Sequence, residues 1–271
     1  MKHSAPLSDS EIAEALVMAA IKAGEAIVAV RKRGLSVERK ADASPVTEAD
    51  RAGEAIILDR LAGIAPGVPV VAEEACALGY LPDVAGEFFL VDALDGTKEF
   101  IRGGSDFTVN AALVRDGVPV VGVVLAPVTG EIFVGVAGEG AWSGVVTDGR
   151  VSLRRPAKVR PSGDRVDVVA SKSHPTPETD AYIARYRVGR RIVAGSSLKF
   201  CTVAAGRADL YPRLGDTMQW DTAAGDAVLR AAGGRTVTLD GKLLRYGPGG
   251  VAGMGAFRNP WFVALGGLDP L

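Results

Sequence analysis

The sequence predicts an α/β protein in two unlike halves, an α+β first half and an α/β second half. Three observations carry that reading. An Ala-rich stretch at 12–30 holds apolar residues at helical spacing, and a second helix can follow from Thr47 to about Leu61. Short β-branched runs separated by turn residues fill 108–142. From 166 onward, apolar strands alternate with polar turns and helical segments, the pattern of a sheet with ligands at its strand C-ends.

Ser8-Asp9-Ser10-Glu11 supplies capping residues for a long first helix. Arg31-Lys32-Arg33 before Gly34 gives the charge and the stop expected at its end. Thr47 can cap a second helix running to about Leu61. That places Asp50 in its first turn, where an acid serves equally as a capping-box device or as a functional group. Val68 to Ala72 reads as a strand ending in Glu73-Glu74. If the strand continued, the two acids would point opposite ways and only one would enter a shared site. Residues 77–87 read as a loop.

Phe88-Phe89-Leu90-Val91 is a buried strand that runs into Asp92-Ala93-Leu94-Asp95-Gly96-Thr97. Gly96 permits a sharp turn, and the amides of Gly96 and Thr97 at a helix start favour an anion. Carboxylates beside an anion need a cation between them, and hard oxygen ligands suit Mg²⁺. The stretch therefore proposes a metal-dependent phosphate site, against the plainer alternative of a solvated Asp-Gly turn.

Thr108–Val114 and Val118–Leu125 flank Asp116-Gly117, a hairpin signal; Ile132–Val136 and Gly140–Trp142 continue a meander. Pro156 and Pro161 mark a boundary between a domain 1–155 and a domain 156–271. In the second, a strand at 166–170 leads into the polar turn Ser171–Pro175, a helix from Pro177 to Tyr186 and a strand at 191–194. Gly195-Ser196-Ser197-Leu198-Lys199 opens another helix, and Asp209-Leu210-Tyr211 is a short strand. Trp220-Asp221 begins an Ala-rich helix ending at Gly233-Gly234.

Composition excludes several classes. A net charge of −1 gives no basic footprint for nucleic acid. No apolar run is long enough for a membrane span, and the first residues lead into no signal-peptide core. Cys76 and Cys201 show no metal spacing and no disulfide framework, which favours a reducing cytoplasm. Two histidines, His3 and His174, argue against a His-rich zinc site. No G-x-G-x-x-G follows an early strand, so a dinucleotide-binding dehydrogenase is excluded. Four separated acids, Glu73, Asp92, Asp95 and Asp221, compete for one site, with Asp50 as a fifth.

Together with their surrounding residues, these acids resemble the inositol monophosphatase superfamily of Mg²⁺-dependent, lithium-sensitive phosphatases. Ala72-Glu73-Glu74 is similar to its S-E-E element, Asp92 to Thr97 to its D-P-[IL]-D-G-T signature, and Trp220 to Gly225 to its W-D-x-A-A-G signature. Ala93 stands where the family has proline, and Ala72 where it has serine; neither supplies a ligand atom. The extension Lys98-Glu99-Phe100-Ile101, with Ser171–His174, Gly195–Lys199 and Asp209–Gly215, resembles the CysQ-type 3′(2′),5′-bisphosphate nucleotidases within it.

The resemblance implies a layered α/β/α/β/α sandwich of the Mg-dependent, lithium-sensitive sugar phosphatase type. It implies hydrolysis of the 3′-phosphate of adenosine 3′,5′-bisphosphate by in-line attack of a metal-activated water, linked to sulfate assimilation. Glu73, Asp92 and the Leu94 carbonyl would hold one Mg²⁺. Asp92, Asp95 and Asp221 would hold a second, and Glu73 a weaker third through waters. Thr97, oriented by Asp50, would position the water, with Glu73 also catalytic. Leu94, Asp95, Gly96, Thr97, His174, Ser196, Lys199, Arg213 and Asp221 would meet the substrate, with Lys199 and Arg213 on its second phosphate. The implied partner is a small nucleotide bisphosphate, with neither nucleic acid nor stable membrane insertion. A monomer and a homodimer both remain open, as does peripheral contact of a cytoplasmic protein with the inner membrane. Alternatives are an inositol-1-phosphate or fructose-1,6-bisphosphate phosphatase, and a non-catalytic metal or nucleotide regulator.

Overall fold

The computed structural model describes residues 7–34, 37–39, 45–171 and 176–269. Helix α1 (Asp9–Arg33) starts at a reciprocal cap: the Ser8 amide donates to Glu11 Oε2 at 2.8 Å, and the Glu11 amide to Ser8 Oγ at 3.3 Å. It stops at Gly34 after its three basic residues. A two-stranded ribbon, β1 (Val37–Arg39) with β2 (Pro45–Thr47), leads to α2 (Glu48–Ile64), which Thr47 caps.

Strand β3 (Val70–Ala72) is short. The chain then turns directly into helix α3 (Glu73–Ala77), so Glu73 and Glu74 are successive helical residues instead of opposite faces of a strand. Next come β4 (Glu87–Asp95), α4 (Thr97–Ile101) and a meander of five strands. These are β5 (Thr108–Arg115), β6 (Val118–Leu125), β7 (Glu131–Val136), β8 (Gly140–Thr147) and β9 (Arg150–Ala157). All seven, β3 to β9, form one sheet in chain order, parallel only at β3/β4. Strand β9 runs through Arg154–Ala157, past position 155. Pro156 is tolerated because β9 is the sheet edge.

The second sheet contains β10 (Val166–Ser171), β11 (Val188–Ala194), β12 (Leu210–Arg213), β13 (Arg235–Thr238) and β14 (Phe262–Leu265), in the order β11-β10-β12-β14-β13. Helices α5 (Pro177–Ile183), α6 (Leu198–Ala204) and α7 (Ala223–Ala231) accompany it. Helix α5 ends before Tyr186 because its last turn tightens: Arg185 N bonds Tyr182 O and Tyr186 N bonds Ile183 O. A short 3₁₀ turn, Gln219–Asp221, precedes α7.

Strand β4 reads as a continuous apolar run because it is buried on both faces. Phe89 and Val91 join Leu16 and Ile27 of α1 and Ile57 of α2 in one core. Phe88 and Leu90 join Phe200 of α6, Val228 of α7, and Tyr211 and Phe262 of the second sheet. On that sheet's far side, Val168 and Val263 meet Tyr182 and Ile183 of α5. The layers are therefore α/β/α/β/α. Helix α7 lies so close on the first sheet that a Cβ on Gly122 would fall 2.3 Å from the Ala224 carbonyl oxygen.

Candidate active site

Asp92 and Asp95 are three residues apart, so strand alternation alone would send them to opposite faces. A bulge corrects this. Asp92 pairs with Asn110 and Asp95 with Thr108, so β4 carries one extra residue and its end is re-phased. Asp92 is then fixed by its own turn, where Oδ1 accepts from the Leu94 amide at 2.9 Å. Gly96 follows at φ +102, a left-handed conformation that a Cβ would oppose.

Strand β3 runs parallel to β4, so its C-end delivers Glu73 to the same edge of the sheet. A residue outside the sequence reading completes the arrangement. Glu54 of α2, buried, accepts from the amides of Glu74 and Ala75, both at 2.8 Å, and pins the start of α3. Asp221 arrives from the second half, held by the Met218 amide donating to Oδ2 at 2.9 Å. One carboxylate oxygen each of Glu73, Asp92 and Asp221 lies within 4.8 Å of the others.

Burial pushes the Asp92 carboxyl well above the ordinary range, and the negative charges of Glu73, Asp95 and Asp221 push it further. Asp221 is raised for the same reasons: burial first, then Asp95 and Glu73. Hard oxygen donors crowded against their own repulsion form a set that a divalent cation neutralises, which fits Mg²⁺. Asp95 adjoins these three, but its carboxylate is engaged differently: Ser196 Oγ donates to Oδ2 at 2.5 Å, and Asn110 lies at 3.5 Å.

Asp50 is engaged through both of its carboxylate oxygens. Oδ2 accepts from the Thr47 amide at 2.7 Å, the bond a capping box requires, and from the Thr47 hydroxyl at 2.7 Å besides. Oδ1 accepts from Thr97 Oγ1 at 3.1 Å, and the Leu94 carbonyl lies 3.3 Å from the same hydroxyl. The cap therefore fixes the carboxylate that orients Thr97.

Across from these acids a cavity of about 200 Å³ is lined by Asp95, Gly96, Ser196, Lys199, Arg213 and Asp221, among others. Lys199 is buried; its Nζ donates to the Ser196 carbonyl at 2.6 Å and sits over the Tyr211 ring. Burial lowers its pKa to about 8, against the pull of Asp95. Arg213 bonds the Asp216 carbonyl, and its Nε is buried without a hydrogen-bond partner among the described residues. An orphaned guanidinium donor suits an anion. His174, proposed for the substrate, lies outside the described residues, as does His3.

A larger cavity of about 580 Å³ has Asp106 in its lining. Its arginines Arg160, Arg190 and Arg207 are closed by Asp209, Asp167 and Glu131, so it is the weaker anion site. Cys76 and Cys201 are buried free thiols, and burial pushes Cys76 up to about 11, which removes thiolate chemistry near neutrality. Among the described residues no helix is long and apolar enough to cross a membrane.

The inositol monophosphatase family model matches residues 8–260. The chain is 40% identical over 251 residues to the 3′(2′),5′-bisphosphate nucleotidase CysQ of Salmonella typhimurium, covering 92% of this chain and 97% of that protein. It is 41% identical over 242 residues to the same-named protein of Escherichia coli, covering 89% and 94%. The crystal structure of CysQ from Bacteroides thetaiotaomicron, a bacterial member of that family, aligns with a TM-score of 0.78 at 37% identity, over 96% of this chain and 98% of that one.

Proposed function

This chain belongs to the inositol monophosphatase family, and we infer that it is a metal-dependent 3′(2′),5′-bisphosphate nucleotidase. It hydrolyses the 3′-phosphate of adenosine 3′,5′-bisphosphate to give AMP and phosphate. One observation carries the choice of substrate. Lys199 and Arg213 line the same cavity as Asp95 and Asp221, so a second anionic group is provided for beside the acids.

Glu73, Asp92 and Asp221, with Asp95 and the Leu94 carbonyl, are the groups that would hold two Mg²⁺ ions; a third would be held loosely at Glu73. Bound there, magnesium supplies charge neutralisation for the phosphate and a lowered pKa for water. The remaining work falls to the chain. The Thr97 hydroxyl commits its one proton to Asp50 or Leu94, so its lone pairs are left to accept from a water and orient it. Asp50 cannot swing away, because Thr47 grips its other oxygen. The Gly96 and Thr97 amides are the proposed donors to the scissile phosphate, and Lys199 and Arg213 the donors to the 5′-phosphate.

The first test is phosphate release by purified protein with Mg²⁺, with adenosine 3′,5′-bisphosphate, inositol-1-phosphate and fructose-1,6-bisphosphate at equal concentration. Preference for the nucleotide is expected. Preference for the inositol or the sugar phosphate would retain the metal chemistry and discard the nucleotide pocket; no turnover of any would support a binding role. Lys199→Ala should raise KM for the bisphosphate by roughly 10- to 100-fold, the loss of one charge-assisted hydrogen bond, with kcat changed only a few-fold. An unchanged KM would remove Lys199 from the phosphate pocket.

A further inference from the structure

Ser196 sits at φ +53, a left-handed conformation uncommon for any residue but glycine and the short polar side chains. The chain approaches it closely: a Cβ on the preceding Gly195 would lie 2.5 Å from the Asp106 carbonyl oxygen. That approach lets a residue of the second half reach the end of β4. Ser196 Oγ lies 2.5 Å from Asp95 Oδ2, 2.9 Å from the Asp95 carbonyl oxygen and 2.6 Å from Thr108 Oγ1. Thr108 is buried, and it is the residue paired with Asp95 across β4 and β5.

Counting protons assigns these contacts. A serine hydroxyl has one proton to give and lone pairs to receive. The proton goes to Asp95, whose carboxylate and carbonyl oxygens can only accept, and Thr108 donates to Ser196. No proton is left for a phosphate oxygen. The next residue behaves alike: Ser197 Oγ donates to the Asp221 carbonyl at 2.6 Å.

We propose that Ser196 is a positioning residue that aims the Asp95 carboxylate at the metal site from the opposite half of the molecule, and that it is not a contact to substrate. The proposal rests on the nucleotidase reading above and refines it. Ser196 also receives Lys199 Nζ on its carbonyl, so one strained residue sets both a metal-site acid and the lysine proposed for the second phosphate. Partners that orient a metal-site carboxylate this way contribute roughly 10- to 100-fold to metal affinity.

Ser196→Gly is the decisive variant, since glycine accepts φ +53 without strain and takes away the hydroxymethyl side chain while keeping the backbone carbonyl that receives Lys199. Thermal unfolding of the metal-free protein, titrated with Mg²⁺ alone, reads metal affinity without turnover. The expected result is a midpoint for stabilisation shifted to roughly 10- to 100-fold higher Mg²⁺. The melting temperature without metal should be no lower than wild type, and KM for the bisphosphate at saturating Mg²⁺ should stay within about threefold. Thr108→Val, which leaves Ser196 bound to Asp95 but removes its donor, should shift the midpoint in the same direction by less. An unchanged Mg²⁺ dependence, with or without a raised KM, overturns the proposal. A wild-type protein that neither responds to Mg²⁺ nor releases phosphate instead overturns the reading beneath it.

Discussion

Asp92→Asn should lower kcat/KM by about a thousandfold while making the metal-free protein more stable at pH 8. The two effects share one cause. Asp92 is buried among Glu73, Asp95 and Asp221, and its pKa is raised by burial first and by those charges second. Below the ordinary aspartate value, about 3.9, both folded and unfolded chains hold the proton and the site costs nothing. As pH rises through the raised folded value, the native state must ionise an unfavourably placed acid that the unfolded chain ionises freely. Stability is therefore lost with rising pH until metal restores it. Asparagine removes that penalty and keeps an oxygen for the Leu94 amide, so its stabilising effect should appear at pH 8 and vanish near pH 4. It also removes a charged oxygen from the proposed metal site, where such charge stabilisation is worth several kcal/mol, and about 4 kcal/mol corresponds to a thousandfold. Unfolding scans at the two pH values with chelator, beside initial rates with Mg²⁺, check both halves. Activity close to wild type would show that these acids are not the reactive centre.

The parts of the site legible in the sequence are those whose chemistry is local. Thr47-x-x-Asp50 is a capping box by spacing alone, and it forms. The run Phe88 to Val91 followed by two acids and Gly-Thr announces a strand end carrying oxygen ligands, and β4 ends there. The bulge between Asp92 and Asp95 is less visible, because nothing in Ala93-Leu94 marks an extra residue until Asn110 and Thr108 are set opposite. Contacts between elements distant along the chain are not legible at all. Glu54 looks like any helical acid until α3 lies against it, and nothing in Gly195-Ser196-Ser197 shows that Ser196 bonds Asp95 and Thr108. The last two strands are illegible for a related reason. β13 and β14 are four residues each, and one long, mostly irregular segment separates them, so no periodicity accumulates.

The second large effect concerns the helix behind Asp221. Asp226→Ala should cost about 3–5 kcal/mol of stability, the range for removing one partner of a buried ion pair. Asp226 is fully buried; Oδ1 accepts from Thr236 Oγ1 at 2.6 Å, and Oδ2 accepts from Arg230 one turn later, at 2.8 Å. Alanine leaves the mostly buried Arg230 guanidinium without its counter-charge and the Thr236 hydroxyl without its acceptor. For a chain of this size the loss corresponds to a fall in melting temperature on the order of 10 °C. The pair is not required for its attraction as such: a double Asp226→Leu, Arg230→Leu variant should lose less than the single change, because it strands no charge. Phosphate release per folded molecule should stay near wild type in the single variant at low temperature. Helix α7 is held on the first sheet by its close contact at Gly122, and Asp221 by the Met218 amide, both independent of Asp226. A single variant melting within a degree or two of wild type would show that solvent satisfies Arg230 and that the pair is no anchor. A double variant at least as unstable as the single would show instead that the attraction itself holds α7 in place.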